Sequence, residues 1–393
     1  MKEQLWTKDF IFLALSNTFL FLAFEMLLPT LPAFISAGGG TDSSIGIIMG
    51  IFTITAILSR PLTDWGVKKF GKKSLLLIGV FICLLASAGY YLSAIAIVIV
   101  MFRLLHGIGF GFATTLYGTI AAEIVPESRR GEGLGFFAIG ATLAASIGPF
   151  IGILLIEDGN FNHFFIIVCL VLVATLFFTN FIKASHIKEP DQSHKQEKWY
   201  KRIIVKEAVF PAFFVMLLGV SYGGILSFIT LFGKESNIDN IGYFFLIVPL
   251  FEFLVRLVAG RVFDQYGPFP VLVPGAIFCL IGILFLAYST SLTMLLISGA
   301  FYGIGYGAIF PTIQAWIINR VTNDKQTIAT ATFYNFFDLG IGIGAFILGI
   351  IAGITSYSTM YMLSAFIFVI FLGVYLASYY SKKTIVKKGT MQM

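Results

Sequence analysis

The sequence predicts an all-α integral membrane protein of twelve transmembrane helices, arranged as two halves of six. Three observations predict it: scarce charge, twelve apolar runs of spanning length, and basic residues gathered in alternate loops. Of 393 residues, 58% are hydrophobic and 12% charged. A soluble chain carries about 25% charged residues, because its whole surface meets water. A surface bathed in lipid needs polar groups only at its two ends.

The apolar runs lie at roughly 9–35, 44–66, 74–94, 95–122, 132–156, 162–183, 208–233, 240–262, 269–289, 292–318, 327–352 and 358–380. In hydrocarbon every backbone N–H and C=O must be satisfied within its own segment, so runs this long are helices. The ten-residue alternation of polarity that marks a membrane barrel is missing. Met1–Asp9 is polar, and the run from Phe10 is too long for a secretory signal core, so no cleaved leader is expected.

The 26 Lys and Arg residues fall before span 1, after each even-numbered span, and past span 12. Arg103 lies within a span, and Lys234 is the one basic residue in the other set of loops. Lys and Arg accumulate on the cytoplasmic side, which predicts both termini cytoplasmic in a multi-pass protein of the cell (inner) membrane. One missed or invented span would scramble the alternation, so it also tests the count. The longest polar stretch, Lys183–Glu207, separates the sixth and seventh spans. It divides the chain into an N-terminal bundle (1–183), a cytoplasmic linker (184–207) and a C-terminal bundle (208–393).

The composition excludes several classes. Cys83, Cys169 and Cys279 sit in separate apolar runs, which argues for packing rather than disulfides or a metal site. The net charge of +6 belongs to the loops, with no aromatic-basic surface for nucleic acid. No Gly-Lys-Ser/Thr follows the glycines at 38–40, so a nucleotide-driven pump is not indicated. No soluble catalytic cluster is visible, and neither an enzyme nor a cofactor is expected.

The halves match at a constant offset of 196 residues. Arg60 corresponds to Arg256, Gly71 to Gly267, Gly107, Gly109 and Gly111 to Gly303, Gly305 and Gly307, and Gly148 to Gly344. A six-plus-six parallel repeat is a recurrent transporter plan, with the substrate site near the midplane between the halves.

Three motifs then carry a resemblance. The loop after span 8 reads Gly260-Arg261-Val-Phe-Asp264-Gln-Tyr-Gly267, and the loop after span 2 runs from Arg60 through Asp64 and Lys68 to Gly71-Lys72-Lys73. Span 4 holds Arg103-Leu-Leu-His106-Gly107-Ile-Gly109. Span 5 holds Gly140, then Gly148-Pro149, then Gly152. Together these resemble the major facilitator superfamily over essentially the whole chain, and within it the twelve-helix drug–proton antiporter branch. The first-half loop departs from the family pattern: Asp64 stands where the family has glycine, and Lys68 where it has aspartate. Two readings stand there, a charge latch with Asp64 as substitute or a basic topology anchor. In span 5, Ile153 stands where a second glycine is common.

The resemblance implies a monomeric secondary transporter that exchanges protons for a small organic molecule leaving the cell. A drug-like compound and a metal-chelating molecule are both tenable. The Gly148-Pro149 motif implies efflux rather than uptake. The alternative is a proton symporter or facilitator importing a sugar or organic acid. The protein would have lipid, protons and its substrate as partners and no resident cofactor.

Intramembrane charges mark the candidate site, because such groups are costly unless they serve a pathway or pair. Glu25 in span 1 is the expected proton carrier, partnered by Arg103 or by a cationic substrate. A fixed Glu25–Arg103 ion pair is the plainer reading; the resemblance also implies a role for Arg103 in proton coupling. His106, one turn beyond Arg103, is either a proton relay or a hydrogen-bonded packing residue. Asp338, one turn beyond Asn335, is a second acidic site or bonds a neighbouring helix. Glu252 and Arg256, four apart, read as an ion pair. Asn17, Tyr222, Gln314 and Asn335 join Glu25 and Arg103 as expected cavity residues.

Overall fold

The computed structural model describes residues 4–92, 95–126, 130–183, 204–322 and 325–390. Every regular element among them is helical. The first half consists of α1 (Lys8–Ala37), α2 (Asp42–Ser59), α3 (Thr63–Phe70), α4 (Lys72–Leu92), α5 (Ala96–Ile124), α6 (Arg130–Leu154) and α7 (Phe161–Phe181). The second consists of α8 (Lys206–Glu235), α9 (Phe244–Tyr266), α10 (Phe269–Ala287), α11 (Leu292–Ile318), α12 (Gln326–Ile354) and α13 (Tyr357–Thr390). Among the described residues, twelve helical segments are long and apolar enough to cross a membrane. An even number of crossings brings both ends of the chain to one side, called here the terminal face; the opposite side is the distal face. Most of the predicted linker, 184–203, lies outside the described residues.

Local chemistry sets the helix ends. The hydroxyls of Thr7, Thr41 and Ser291 accept backbone N–H groups at the starts of α1, α2 and α11, and the Asn160 side chain does so for α7. Gly71 and Gly267 close α3 and α9 with φ of +78° and +77°. A left-handed terminus is cheap only for glycine, which gives this repeat pair a backbone reason. The predicted second span, 44–66, ends early: α2 stops at Ser59, and a 3-10 turn, Arg60–Leu62, leads into the separate α3. Pro61, at the start of that turn, lacks the N–H needed to continue the α-helical ladder.

The 196-residue repeat reappears as packing. A Cβ on Gly107 would meet Phe52 and Thr55 of α2, and one on Gly303 would meet Val248 of α9. A Cβ on Gly109 would strike Gly79 of α4, and one on Gly305 would strike Gly275 and Cys279 of α10. Glycines on opposite faces of α5 and α11 thus allow close approach of two neighbours at once. The repeat reaches further than the sequence suggested. Cys83 donates to the His106 carbonyl and Cys279 to the Tyr302 carbonyl, each at 3.9 Å, and both donor and acceptor pairs keep the offset. The two cysteines are small packing groups with the same job.

Between the halves, α1 packs on α8, α2 on α12, and α6 on α9. The distal side is closed. Thr230 donates to the Pro29 carbonyl at 3.0 Å, and the Tyr357 hydroxyl donates to Asp42 at 2.6 Å. Phe150 lies against Tyr243, ring centroids 5.6 Å apart. On the terminal side the halves part around a cavity.

Candidate functional site: a cavity between the halves

The cavity has a volume of about 2180 Å³ and runs from mid-membrane residues to Lys68, Lys72 and Ser74 at the terminal face. Small-molecule pockets are usually about 300–1,000 Å³, so this space holds a binding region and an open vestibule. Asn17, Glu25, Tyr222, Asn335 and Asp338 all line it. Five of the expected cavity or coupling residues therefore share one space, drawn from α1, α8 and α12.

Glu25 is nine-tenths buried, and its Oε2 has no hydrogen-bond partner. Its electrostatic neighbours, Asp338 and Tyr222, belong to the second half. The turn carrying it is held from behind by α6. A Cβ on Gly148 would lie 2.7 Å from the Glu25 Cβ, one on Gly152 would lie 2.5 Å from the Met26 carbonyl, and one on Gly140 would strike the Thr18 hydroxyl. The motif in span 5 is thus the bed in which the Glu25 segment of α1 lies. Pro149 sits within α6 beside that contact.

Arg103 does not meet Glu25, and the expected pair does not form. The arginine is fully buried and is absent from the cavity wall, so its assignment there is corrected. Its guanidinium lies 5.0 Å from the centroid of the Phe52 ring and 5.8 Å from that of Tyr90, and Nη2 approaches the Met49 sulfur at 3.0 Å. Nε and Nη1 have no hydrogen-bond partner. Aromatic faces take the place of a carboxylate. Met49 and Phe52 line the cavity, so Arg103 stands one layer behind it. His106 is in the same layer: its Nδ1 lies 3.1 Å from the Tyr90 hydroxyl, and its ring stands edge-on to Phe52 and Phe24. Of its two readings, the hydrogen-bonded packing residue describes this geometry. Gln314 is also off the wall, a second correction.

Asp338 bonds a neighbouring helix, and that helix belongs to the other half. Arg60 at the end of α2 reaches Asp338 at 2.8 Å and Asn335 at 2.9 Å. Glu252 and Arg256 form their ion pair along α9 and line the cavity. Lys72 pairs with Glu123 of α5. Gly260, Arg261 and Asp264 lie exposed on the terminal end of α9. The side chain of Asp64 lies outside what is described.

Apart from Tyr222, the aromatic walls were missed by sequence reading. In the first half, Phe24 packs on Phe110 and Phe52 at 4.4 and 4.8 Å. In the second, Tyr306 packs on Tyr222 and Phe310 at 5.2 and 5.4 Å. All six line the cavity. Phe110 and Tyr306 keep the 196-residue offset, a signal present in the sequence but hidden among 43 Phe residues.

The sequence profile of the Major Facilitator Superfamily matches residues 13–288 and 239–390. The chain belongs to the Major Facilitator Superfamily. It is a transporter and not an enzyme. It is 24% identical over 363 residues to an uncharacterised MFS-type transporter of Methanocaldococcus jannaschii, covering 90% of this chain and 93% of the relative. It is 21% identical to the staphylopine export protein of Staphylococcus aureus (85% and 87% covered) and 26% identical to the multidrug resistance protein MdtG of Escherichia coli (85% and 85%). Among solved structures, the nucleoside transporter NupG superposes with a TM-score of 0.76 at 16% identity, over 95% of this chain and 99% of its own. The D-xylose–proton symporter superposes with a TM-score of 0.67 at 16% identity, over 91% and 96%. These two establish the shared fold.

Proposed function

We propose that this superfamily member is a proton-coupled antiporter that exports a small organic molecule by alternating access. The observation that carries the reading is Glu25: a carboxyl with an unpaired buried oxygen, facing the cavity, on a turn clasped by the Gly148-Pro149 motif. A carboxyl so placed is expensive to ionise and is neutralised by a proton or a cationic ligand. Protonation frees it from any need for a partner, so proton and substrate compete for one site. Exporter relatives, the staphylopine export protein and MdtG, favour the outward direction.

The loop charges support a cytoplasmic terminal face, with both termini there and the chain in the cell membrane; a monomer is what the family resemblance implies. The cavity then faces inward, and the contacts of Thr230 with Pro29 and Tyr357 with Asp42 are the external seal. Glu25 takes the proton, and Asp338, paired with Arg60, is the second acid on the cavity wall. Arg103 and His106 hold the wall behind Phe52.

The test is proton movement in proteoliposomes containing a pH dye, challenged with a panel of cations, zwitterions and chelators. The expected result is a compound that drives protons opposite to its own movement, with the response lost in Glu25→Gln. A compound that travels with protons, or ignores the gradient, overturns the antiport reading and favours an importer or facilitator.

A further inference from the structure

We propose that the outer face of α3 docks the headgroup of an anionic phospholipid in the membrane leaflet at the terminal face. This surface is separate from the mid-membrane part of the cavity, and the proposal stands whatever the transporter carries.

The first observation is where α3 lies and how it is turned. It is a separate short helix between the terminal ends of α2 and α4, so it sits where the spans leave the hydrocarbon. Thr63, Gly66 and Val67 follow helical spacing and form its inner face. Thr63 is buried, Val67 packs on the apolar core, and a Cβ on Gly66 would meet the Leu75 side chain of α4 at 2.7 Å. The outer face carries Trp65, Lys68 and Lys69, flanked by Leu62 and Phe70. Leu62, Trp65 and Phe70 are 55%, 62% and 44% exposed, apolar groups that no part of the chain covers. At a membrane boundary such groups lie at the level of the lipid headgroups.

The second observation is charge. The Lys69 ammonium lies 5.3 Å from the ring centroids of both Trp65 and Phe70. Lys72 pairs with Glu123, and Lys73 donates to the Asn180 carbonyl, but neither Lys68 nor Lys69 meets a carboxylate among the described residues. The face thus joins two unneutralised cations to exposed rings. An anionic headgroup meets the cations while its acyl chains cover the rings, whereas a free phosphate would leave the rings bare. Trp65 and Lys68 also border the cavity, so a headgroup docked here stands at its mouth.

The third observation is that the repeat does not carry this face. At the offset of 196, Trp65 corresponds to Arg261, Lys68 to Asp264 and Lys69 to Gln265. There α9 continues unbroken to Tyr266, with no separate helix turned across the end of the bundle. The face therefore comes from the break at Pro61 and from the lysines that follow it, and is no by-product of the shared fold. Lys68 stands where the superfamily pattern has aspartate, so that pattern does not supply it either.

The experiment measures quenching of Trp65 fluorescence by brominated lipid in phosphatidylcholine bilayers holding the full-length protein. The brominated lipid is either phosphatidylglycerol or phosphatidylcholine, and the Trp65 contribution is the parent signal minus that of Trp65→Phe. Phosphatidylglycerol is expected to quench Trp65 at a mole fraction about fivefold or more below that needed for phosphatidylcholine, since each lysine near the surface favours an anionic lipid. In the double variant Lys68→Gln/Lys69→Gln the two lipids should quench alike. Equal quenching by both lipids in the parent overturns the proposal, as does a preference that survives in the double variant. Inorganic phosphate or hexaglutamate that removes quenching by phosphatidylglycerol, at matched ionic strength, would put a soluble anion on this face and also overturn it. A measurement without variants guards against misfolding: native mass spectrometry of the unaltered protein should show phosphatidylglycerol retained over phosphatidylcholine, and equal retention sinks the proposal.

Discussion

The contact between Gly148 and Glu25 can be tested by adding one carbon. In Gly148→Ala the new Cβ would sit 2.7 Å from the Glu25 Cβ and 3.3 Å from both the Leu22 carbonyl and the Met26 nitrogen. Carbon atoms pack at about 3.5–4.0 Å, so α1 must retreat by about 1 Å at the turn that carries the carboxyl. Two of the three obstructing atoms are backbone, so no side-chain rotation relieves the clash. Overpacking of this kind costs about 1–3 kcal/mol. A displacement of about 1 Å at a working group can cost on the order of a hundredfold in rate. The control is Gly118→Ala on α5, where an added Cβ meets nothing within 4 Å. Replacing a helical glycine by alanine there should gain up to about 1 kcal/mol. Thermal melting of the purified proteins and proton-linked transport in proteoliposomes read the two effects. Gly148→Ala should melt lower and transport far more slowly, while Gly118→Ala melts no lower than the parent. Wild-type melting and transport in Gly148→Ala would refute the view that α6 sets the position of Glu25.

Two further outcomes follow from pairs of side chains. Arg60 and Asp338 are about a quarter exposed and join the two halves, so a double-mutant cycle of Arg60→Ala and Asp338→Ala, read by melting, should show coupling of about 1 kcal/mol. Strict additivity would mean the pair holds nothing together. His106→Asn should lower the melting temperature, because Tyr90 loses its partner, while the pH profile of transport stays where it was. A displaced profile would put His106 on the proton route.

Most of the fold was legible because its causes are local. Length and apolarity mark a span, and a single glycine marks the ends of α3 and α9. The repeat was legible too, and its glycine pairs became matching helix contacts. What was not legible is rotation about the helix axis. The spanning helices are apolar nearly all round, and a helix without a polar stripe does not announce which side faces water. Glu25 and Arg103 therefore look alike in sequence, two charges within spans. The structure separates them by their neighbours: Gly148 sets Glu25 on the cavity side, whereas Met49, Phe52 and Tyr90 enclose Arg103. Asp338 was ambiguous for another reason, since its partner Arg60 lies 278 residues away and across the boundary of the halves.

The same comparison shows what a repeat does and does not carry over. Arg60, just past the end of α2, and Arg256, within α9, occupy equivalent positions in the repeat. The position on α6 equivalent to Asp338 on α12 is Thr142, which also lines the cavity. Arg60 therefore finds a carboxylate across the interface between halves, and Arg256 turns to Glu252 on its own helix. Glu25 shows the same divergence, for its equivalent is Ser221, buried and uncharged. The glycines by which α5 and α11 pack on their neighbours are kept between the halves, while Gly140 and Gly152 beside α1 correspond to Phe336 and Leu348, and the charged groups of the cavity differ. Symmetric packing supplies two similar bundles, and the asymmetry of four carboxylates, Glu25, Glu123, Glu252 and Asp338, gives the space between them its chemistry.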